Sequence, residues 1–423
     1  MKNINIINEN KKPLSSEQVL QAIKMSIQDK ELKKVLLVPP DFTRFYSRAG
    51  DITKMYYDIL KSYCDVDILP ALGTHEKMTK EECDEMFGDI PYEKFIEHDW
   101  KNGVVKIGEI PASYINEISD GLVNEKIEVE INKLLTDRSY DLIISIGQVV
   151  PHEVVGMANY SKNILIGCGG SNMINQSHML GAFYGMERVM GKDYSPVRKA
   201  LDYAHTHFLR DLPLLFVLTV TTQNKDSADI HGLFIGTTRE IFSKGVRLSQ
   251  EKNLNYLDIP PKKMVVYLDE REFKSTWLGN KAIYRTRMAI ADGGELIVLA
   301  PSVSKFGEDK ENDRLIRKYG YVGRKNVLQL VKENSDLQNN LSVAAHLIHG
   351  SSDDRFNITY AVDKLTKEEI EGANYKYLDY KETIKKYDPK KLKEGVNIME
   401  DGEQIYYISN PALGLWAERS KFF

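Results

Sequence analysis

Residues 35–44 read VLLVPPDFTR, a run of branched apolar residues that ends at two prolines and a polar loop. A short apolar run that stops at proline is typical of a buried strand, because proline cannot donate to the hydrogen-bonded ladder. The pattern recurs at Val66–Leu69 before Pro70 and at Leu142–Ile146 before Gly147. Such runs, separated by amphipathic stretches, predict an α/β fold with mainly parallel sheets.

The same alternation extends through the rest of the chain. Further strands are predicted at Ile164–Ile166, Leu214–Thr222, Met264–Leu268, Leu296–Ala300 and Gln404–Ser409. Apolar residues spaced three and four apart predict helices at Ser16–Ile27, Lys54–Tyr63, Pro196–Phe208, Lys281–Ile290 and Lys310–Tyr319. Lys376–Lys393, rich in lysine and tyrosine, is predicted to be the solvated face of a helix rather than a binding patch.

The chain length indicates more than one domain. Its 423 residues are about three times the ~150 residues that are typical of a single domain. The best boundary is the polar stretch Glu251–Lys263, which contains two consecutive prolines and precedes a fresh strand. We therefore predict two α/β domains, residues 1–255 joined by the C-terminal segment 403–423, and residues 256–402. The active-site cleft is expected between them.

Composition and charge exclude several classes of protein. The 57 Lys+Arg against 61 Asp+Glu give a net charge of −4, which favours neither nucleic acid nor an anionic membrane as a partner. Cys64, Cys83 and Cys168 are widely spaced, which argues against a disulfide framework and a thiolate zinc site. With no apolar run of about 18 residues and no signal-peptide pattern, we expect a cytoplasmic protein.

Polar side chains follow three predicted strands at the point where each strand ends. They are Asp41, Thr43 and Arg44 after the first strand, His75 after the second and His152 after the third. In open α/β sheets, ligands bind outside the carboxyl ends of the strands. The two histidines could act as general acid and base, because imidazole titrates near neutral pH. Taken singly, a structural hydrogen bond is the more frequent role of a histidine, and Asp41 or Thr43 could simply cap a helix.

Three further residues are candidates for chemistry. His178 follows the glycine-rich loop Gly167–Gly170 and could bind a metal, whereas Lys162 could be a nucleophilic amine or an ion-pair partner. Lys281 opens a predicted helix, and each of the three is more often structural or solvent-exposed. No zinc-type spacing surrounds His178, and the loop is neither a dinucleotide motif nor a P-loop. A metal held mainly by protein side chains is therefore not predicted.

In their order and spacing, these elements resemble the nickel-dependent lactate racemase family over most of the chain. The matching elements are Asp41-Phe42-Thr43-Arg44, Gly73-Thr74-His75, Pro151-His152 with Lys162 ten residues after the histidine, His178 in Ser177–Gly181, Lys281 leading into Ala282–Arg285, and Asp292–Glu295 before a strand. Each element alone is a weak signal. The specificity lies in the order in which the histidines, the lysines and the D-x-T-R loop occur.

The resemblance implies a racemase or epimerase of a 2-hydroxy acid that uses a nickel-pincer nucleotide, a pyridinium-3-thioamide-5-thiocarboxylic acid mononucleotide carrying nickel. By matching position, the implied roles are the thioamide link for Lys162, the nickel ligand for His178, acid/base catalysis for His75 and His152, cofactor contacts for Asp41 and Thr43, and substrate contacts for Arg44 and Lys281. The α-hydrogen would move as a hydride through a 2-keto acid, which avoids removing a very weakly acidic proton. Cofactor-maturation proteins are implied partners.

Two segments depart from the family pattern and concern the substrate. Gly156–Lys162 is bulkier and more polar than the usual Gly-Phe-Ser-Gly-Gly, and Leu278 stands where the family has glutamine. Lactate, a related 2-hydroxy acid and a sugar acid therefore all stay open as substrates. From the residues alone, two other functions stay open: a zinc- or lysine-dependent lyase or hydrolase that uses the same histidines, and a non-catalytic solute-binding protein.

Overall fold

The computed structural model describes residues 3–9, 12–224, 227–412 and 414–422. The described residues form two compact units. Unit 1 comprises Met1–Leu180 and Val189–Asn253, and unit 2 comprises Gly181–Arg188 and Leu254–Phe423. The change of unit after Asn253 falls inside the polar stretch Glu251–Lys263.

Unit 1 is built on a six-stranded sheet of order β1-β10-β9-β6-β2-β3. Its strands are β1 (Ile4–Ile7), β2 (Lys34–Val38), β3 (Asp65–Ile68), β4 (Val104–Ile110), β5 (Ile127–Asn132), β6 (Leu142–Gln148), β7 (Pro151–His152), β8 (Gly156–Met157), β9 (Leu214–Asn224) and β10 (Ser227–Gly236), with β4–β5 and β7–β8 as separate antiparallel pairs. Strands β9, β6, β2 and β3 run parallel, so their carboxyl ends lie at one edge of the sheet. Every residue of β6 is buried, as expected for a strand covered on both faces.

Helices cover both faces of this sheet, and several begin at residues that cap them. The α-helices up to Asn253 are α1 (Ser16–Ile27), α2 (Ala49–Leu60), α3 (Lys80–Phe87), α4 (Ala112–Ile118), α5 (Ser171–Tyr184), α6 (Met186–Val189), α7 (Pro196–Phe208) and α8 (Arg239–Asn253). The end of α5 and most of α6 belong to unit 2. Short 3₁₀ helices occupy Phe42–Ser47, Tyr92–Lys94 and Lys133–Thr136, and a π-helix occupies Asn163–Gly167. Ser15 and Gln18 form a capping box at α1, which satisfies two orphan backbone donors.

Unit 2 has its own six-stranded sheet of order β15-β14-β13-β12-β17-β16, parallel except at the β16–β17 edge. The strands of unit 2 are β11 (Leu254–Leu257), β12 (Lys263–Tyr267), β13 (Glu295–Ala300), β14 (Asn357–Val362), β15 (Lys376–Asp379), β16 (Gly395–Ile398), β17 (Gln404–Ile408) and β18 (Leu415–Glu418), of which β11 and β18 form a separate parallel pair. Its helices are α9 (Thr276–Gly279), α10 (Lys281–Thr286), α11 (Lys310–Tyr319), α12 (Arg324–Glu333), α13 (Ser335–Gln338), α14 (Leu341–His349), α15 (Lys367–Gly372), α16 (Tyr380–Lys386) and the 3₁₀ turn Arg419–Lys421.

The α/β class with mainly parallel sheets is confirmed, and three details differ from the sequence prediction. Ile164–Ile166 is part of the π-helix rather than a strand, because Asn163 donates its side-chain amide to Val38 O and to Ser145 Oγ, both at 3.0 Å. Residues 376–393 begin with β15 and only then turn into α16. The segment 403–423 belongs to unit 2, because β17 pairs with β12 and β18 pairs with β11.

Two predicted helices also have different limits. Helix α2 begins five residues before Lys54, and α10 ends at Thr286 rather than at Ile290. Within the described ranges, no helix is both long enough and apolar enough to cross a membrane.

Candidate active site

Three neighbouring parallel strands deliver the predicted site residues of unit 1. Strand β2 lies between β3 and β6, so the loops that follow these strands leave the same edge of the sheet. Asp41 follows β2, His75 follows β3 and His152 follows β6. The pattern of polar residues at strand ends therefore becomes a cluster in space, as the sequence predicts.

Asp41 links the first two of these loops. It caps the 3₁₀ helix Phe42–Ser47: its Oδ1 accepts the Thr43 backbone N–H at 3.1 Å and the Thr43 hydroxyl at 2.5 Å, while Oδ2 pairs with His75 Nδ1. Burial alone raises the pKa of the Asp41 carboxyl, but the bond and charge of His75, with help from Thr43 and Arg44, hold that pKa below its ordinary value. Asp41 is therefore an ionised, oriented carboxylate, whereas His75 is largely exposed.

His152 is presented by a tight hairpin formed by β7 and β8. Gly156 on the facing strand has φ +87°, and a Cβ there would lie 2.0 Å from Lys192 O, so only glycine fits. The Nδ1 atom of His152 accepts the Val154 backbone N–H at 3.1 Å. Burial lowers the pKa of His152 well below its ordinary value, and the positive charge of Lys162 adds to this effect. His152 is therefore a buried, neutral imidazole.

Lys162 stands where an irregular loop meets the π-helix. The amide of Asn163 ties the π-helix to the end of β2 and the middle of β6, and Gly73 N donates to Gly167 O at 2.8 Å. Burial lowers the pKa of Lys162 to about 8, and the nearby Arg44 charge acts in the same direction. With this pKa the amine is partly unprotonated near neutral pH, which makes it a competent nucleophile.

A fully buried arginine holds the loop that precedes Lys162. Arg198 donates to Met157 O at 2.7 Å, to Asn159 O at 3.2 Å and to Ser161 Oγ at 3.0 Å. Asn159 and Tyr160 have φ values of +69° and +58°, a left-handed conformation that costs about 1–3 kcal/mol for each non-glycine residue. The bonds from Arg198 help to keep the loop in this strained form.

His178 lies on α5, where its Nδ1–H donates to Ile174 O at 2.6 Å. This bond leaves the lone pair on Nε2 and fixes the ring, which is the arrangement that metal-binding histidines use. Burial lowers the pKa of His178, so the ring is neutral as a metal ligand must be. No group of three or more His, Cys, Asp or Glu side chains that could hold a metal ion is found in the described part of the chain.

The predicted residues are thus brought together in unit 1, with the exception of Lys281. Arg44, Lys162 and His178 all lie close enough to His152 to lower its pKa. Lys281 lies in unit 2 at the start of α10, where its ammonium is 3.8 Å from a carboxylate oxygen of Glu272. Its role at the substrate stays a prediction.

Three residues that contribute to this site were not singled out from the sequence. Glu153 Oε2 lies 3.9 Å from His152 Nδ1, and the Glu153 charge raises the pKa values of both His152 and Lys162. Asn163 and Arg198 fix the two sides of Lys162. The position of Glu153 directly after His152 was a usable signal, but nothing in the sequence connects Arg198 to a loop some forty residues earlier.

Fold and site define a two-unit α/β protein with a histidine- and lysine-bearing site at the carboxyl ends of a mainly parallel sheet. Residues 4–191, which include every site residue of unit 1 that was predicted from the sequence, match the family model described as the lactate racemase N-terminal domain. This match over residues 4–191 supports the resemblance to the lactate racemase family that the sequence indicates.

Individual relatives are distant. A lactate racemase from Thermoanaerobacterium thermosaccharolyticum is 25% identical over 290 residues, which cover 65% of this chain and 61% of that protein. A crystal structure of a protein from Thermotoga maritima matches 98% of this chain and all of its own with a TM-score of 0.81 at 23% identity. The lactate racemase apoprotein of T. thermosaccharolyticum matches 95% of this chain and 93% of its own with a TM-score of 0.70 at 18% identity. At these identities the two structures support the fold alone.

Proposed function

We propose that this chain is a racemase or epimerase of a 2-hydroxy acid, lactate or a related one, that works with a nickel-pincer nucleotide. The observation that carries the proposal is the grouping of a lysine of lowered pKa with neutral, oriented histidines at the carboxyl ends of neighbouring strands. The similarity to lactate racemases supports the racemase class, and the residues below support the choice of cofactor.

Two side chains suit the attachment of such a cofactor. The Lys162 amine, with its pKa lowered to about 8, could form the thioamide link. His178 could bind nickel through Nε2, and because no multi-residue metal site is found among the described residues, the other nickel ligands would come from the nucleotide. When bound, the cofactor would accept the α-hydrogen of the substrate as a hydride and return it. Thr43, exposed next to Asp41, would contact the nucleotide.

The histidines and Arg44 would act on the substrate. His75 could take the hydroxyl proton, and His152 would serve the opposite face of the planar 2-keto acid, so that the centre is inverted when the hydrogen returns. Arg44 carries a permanent positive charge that suits a substrate carboxylate.

Partner proteins follow from the cofactor. A nucleotide with two thio-substituents and bound nickel must be assembled by other enzymes before Lys162 can capture it. We expect cofactor-maturation proteins to be the macromolecular partners of this chain.

A lysine- or zinc-dependent lyase or hydrolase is the second candidate. The lowered pKa of Lys162 also suits Schiff-base chemistry with a carbonyl substrate. The two candidates differ in metal content, in covalent mass and in the reaction of an enantiopure 2-hydroxy acid.

The deciding experiment combines three measurements on full-length protein produced together with cofactor-maturation enzymes. We expect one nickel per chain, a mass increase of one nucleotide under denaturing conditions, and loss of optical purity from one or more enantiopure 2-hydroxy acids. Stoichiometric zinc with an unmodified chain mass, or a loaded protein that leaves every tested 2-hydroxy acid optically pure, would contradict the proposal.

A further inference from the structure

The two histidines proposed for catalysis have opposite partners on Nδ1. The Nδ1 of His75 faces Oδ2 of Asp41, and an ionised carboxylate can only accept a hydrogen bond. The Nδ1 of His152 faces the Val154 backbone N–H at 3.1 Å, and a backbone N–H can only donate. A neutral His75 therefore carries its proton on Nδ1, and a neutral His152 carries its proton on Nε2.

The orientation of Asp41 is fixed within the protein. Oδ1 receives both the backbone N–H and the hydroxyl of Thr43, which leaves Oδ2 directed at His75. The carboxylate is also buried, with 8% of its side chain exposed, whereas 59% of the His75 side chain is exposed. Asp41 is thus placed behind His75, and the imidazole is the member of the pair that a ligand can reach.

We propose that Asp41 is a positioning residue that holds His75 with the proton on Nδ1, while the Val154 N–H holds His152 in the opposite tautomer. His75 then offers the lone pair of Nε2 to a substrate hydroxyl, and Asp41 stabilises the imidazolium that forms when the proton is taken up. This role differs from the cofactor contact that the family resemblance implies for Asp41. The meaning of the tautomers for catalysis depends on the proposed function, but their existence does not.

The substitution Asp41→Asn tests the role of the carboxylate with almost no change of shape. The Thr43 backbone N–H needs an acceptor, so it keeps the amide oxygen of the new side chain at the position of Oδ1. The amide NH₂ then takes the position of Oδ2 and donates to His75 Nδ1. In this variant His75 must move its proton to Nε2, where it blocks the lone pair.

The experiment reads the tautomers directly from the full-length chain without cofactor. Protein labelled with ¹⁵N in histidine is examined by long-range ¹H–¹⁵N correlation, and His75 and His152 are assigned from the signals lost in His75→Gln and His152→Gln. At a pH at which both rings are neutral, we expect Nδ1–H for His75 and Nε2–H for His152 in the wild type, and Nε2–H for His75 in Asp41→Asn. In cofactor-loaded protein, the same variant should lower kcat about 10³–10⁴-fold with a much smaller change in KM, the size of effect seen when a catalytic histidine is held in the wrong tautomer.

The matched control is Asp51→Asn, which makes the same chemical change at a surface carboxylate paired with Arg48. It should leave both tautomers and the rate unchanged. Nε2–H on His75 in the wild type, or an unchanged His75 pattern in Asp41→Asn, would overturn the proposal. If Asp41→Asn does not fold, the wild-type spectrum still decides. If the tautomers are as expected and the loaded wild type racemises no 2-hydroxy acid, the proposed function fails while the assignment of Asp41 stands.

Discussion

Both units of this molecule bury histidines beside polar groups, but the neighbours of those histidines differ. In unit 1, His152 lies among charged groups, with Lys162 and Arg44 close enough to shift its pKa. In unit 2, the contacts of His346 on α14 are with neutral groups: its Nε2 is 2.9 Å from the Tyr321 hydroxyl, and its ring stacks on Trp277, while the nearby His349 adds to the lowering of its pKa. Because burial lowers the pKa of both histidines, a lowered pKa alone does not identify a functional site.

The unit 2 cluster is a network of neutral groups that satisfy each other. Asn280 receives the Tyr360 hydroxyl at 2.7 Å and lies 3.2 Å from the Tyr375 hydroxyl, which donates to Gly350 O at 2.7 Å. Tyr375 stacks on both Tyr321 and Tyr360. A satisfied buried network of this kind fixes structure, here the turn from which α10 begins. The unit 1 cluster instead brings charged side chains together with a lysine and histidines whose pKa values are lowered, which is the pattern of a reactive site.

The strongest test of this contrast is Lys162→Met. The proposed link needs the amine, so the variant should lose all covalently attached nucleotide and all racemisation, yet it should fold because methionine removes a buried charge without removing the packing of the side chain. Denaturing intact-mass measurement gives the result. Lys199→Met, at an exposed lysine of α7, is the matched control and should keep the nucleotide. A nucleotide retained on Lys162→Met would show that the link lies elsewhere.

The next largest effect is expected from His152→Asn. Loss of a positioned general acid or base typically costs about 10²–10⁴-fold in rate, and the substitution should leave the attached nucleotide and its nickel in place. Initial rates of racemisation with loaded protein measure the effect. His207→Asn changes an exposed histidine on α7 and should retain the wild-type rate. Equal rates for His152→Asn and His207→Asn would remove His152 from the reaction.

Much of the fold could be predicted because buried parallel strands have a clear sequence pattern. The runs after Lys34, Asp141 and Pro213 are all strands, and α1, α7 and α11 have the limits that their periodicity and caps indicate. Ile164–Ile166 could not be assigned in this way, since a short apolar run looks the same in a strand and in a buried helical turn. The bonds from Asn163 that decide between them come from distant strands.

The candidate site was predictable in position but not in its internal bonding. The strand-end rule brings Asp41, His75 and His152 to one edge of the sheet. The pairing of Asp41 with His75 spans 34 residues, and the bond from Val154 to His152 depends on the shape of one hairpin. These contacts set the tautomers. Single-sequence reasoning could not detect them, because a contact between distant residues, or one that depends on the shape of a loop, leaves no pattern in the sequence.

A smaller effect, on stability rather than rate, is expected for Asn280→Leu. Leucine fills a similar volume but leaves the buried Tyr360 hydroxyl without its acceptor, at a cost of about 1–3 kcal/mol. Urea unfolding followed by a probe in unit 2 measures the change. Asn326→Leu alters an exposed asparagine of α12 and should change the free energy of unfolding by less than about 0.5 kcal/mol. An equal effect of the two variants would mean that the network does not stabilise unit 2.

The smallest effect is the pH dependence that His346 gives to unit 2. Burial lowers the pKa of His346 to about 3, so between that value and the ordinary pKa near 6.5 the unfolded chain binds a proton that the folded chain does not. Stability must therefore fall as the pH is lowered through 6.5, by about 2 kcal/mol from pH 7 to pH 5 for this group. His346→Phe keeps an aromatic ring beside Trp277 and removes the titration, so its free energy of unfolding should fall less over that range. If the free energy of unfolding fell equally for His346→Phe and for the wild type between pH 7 and pH 5, the surroundings of His346 would not keep it neutral in the folded protein.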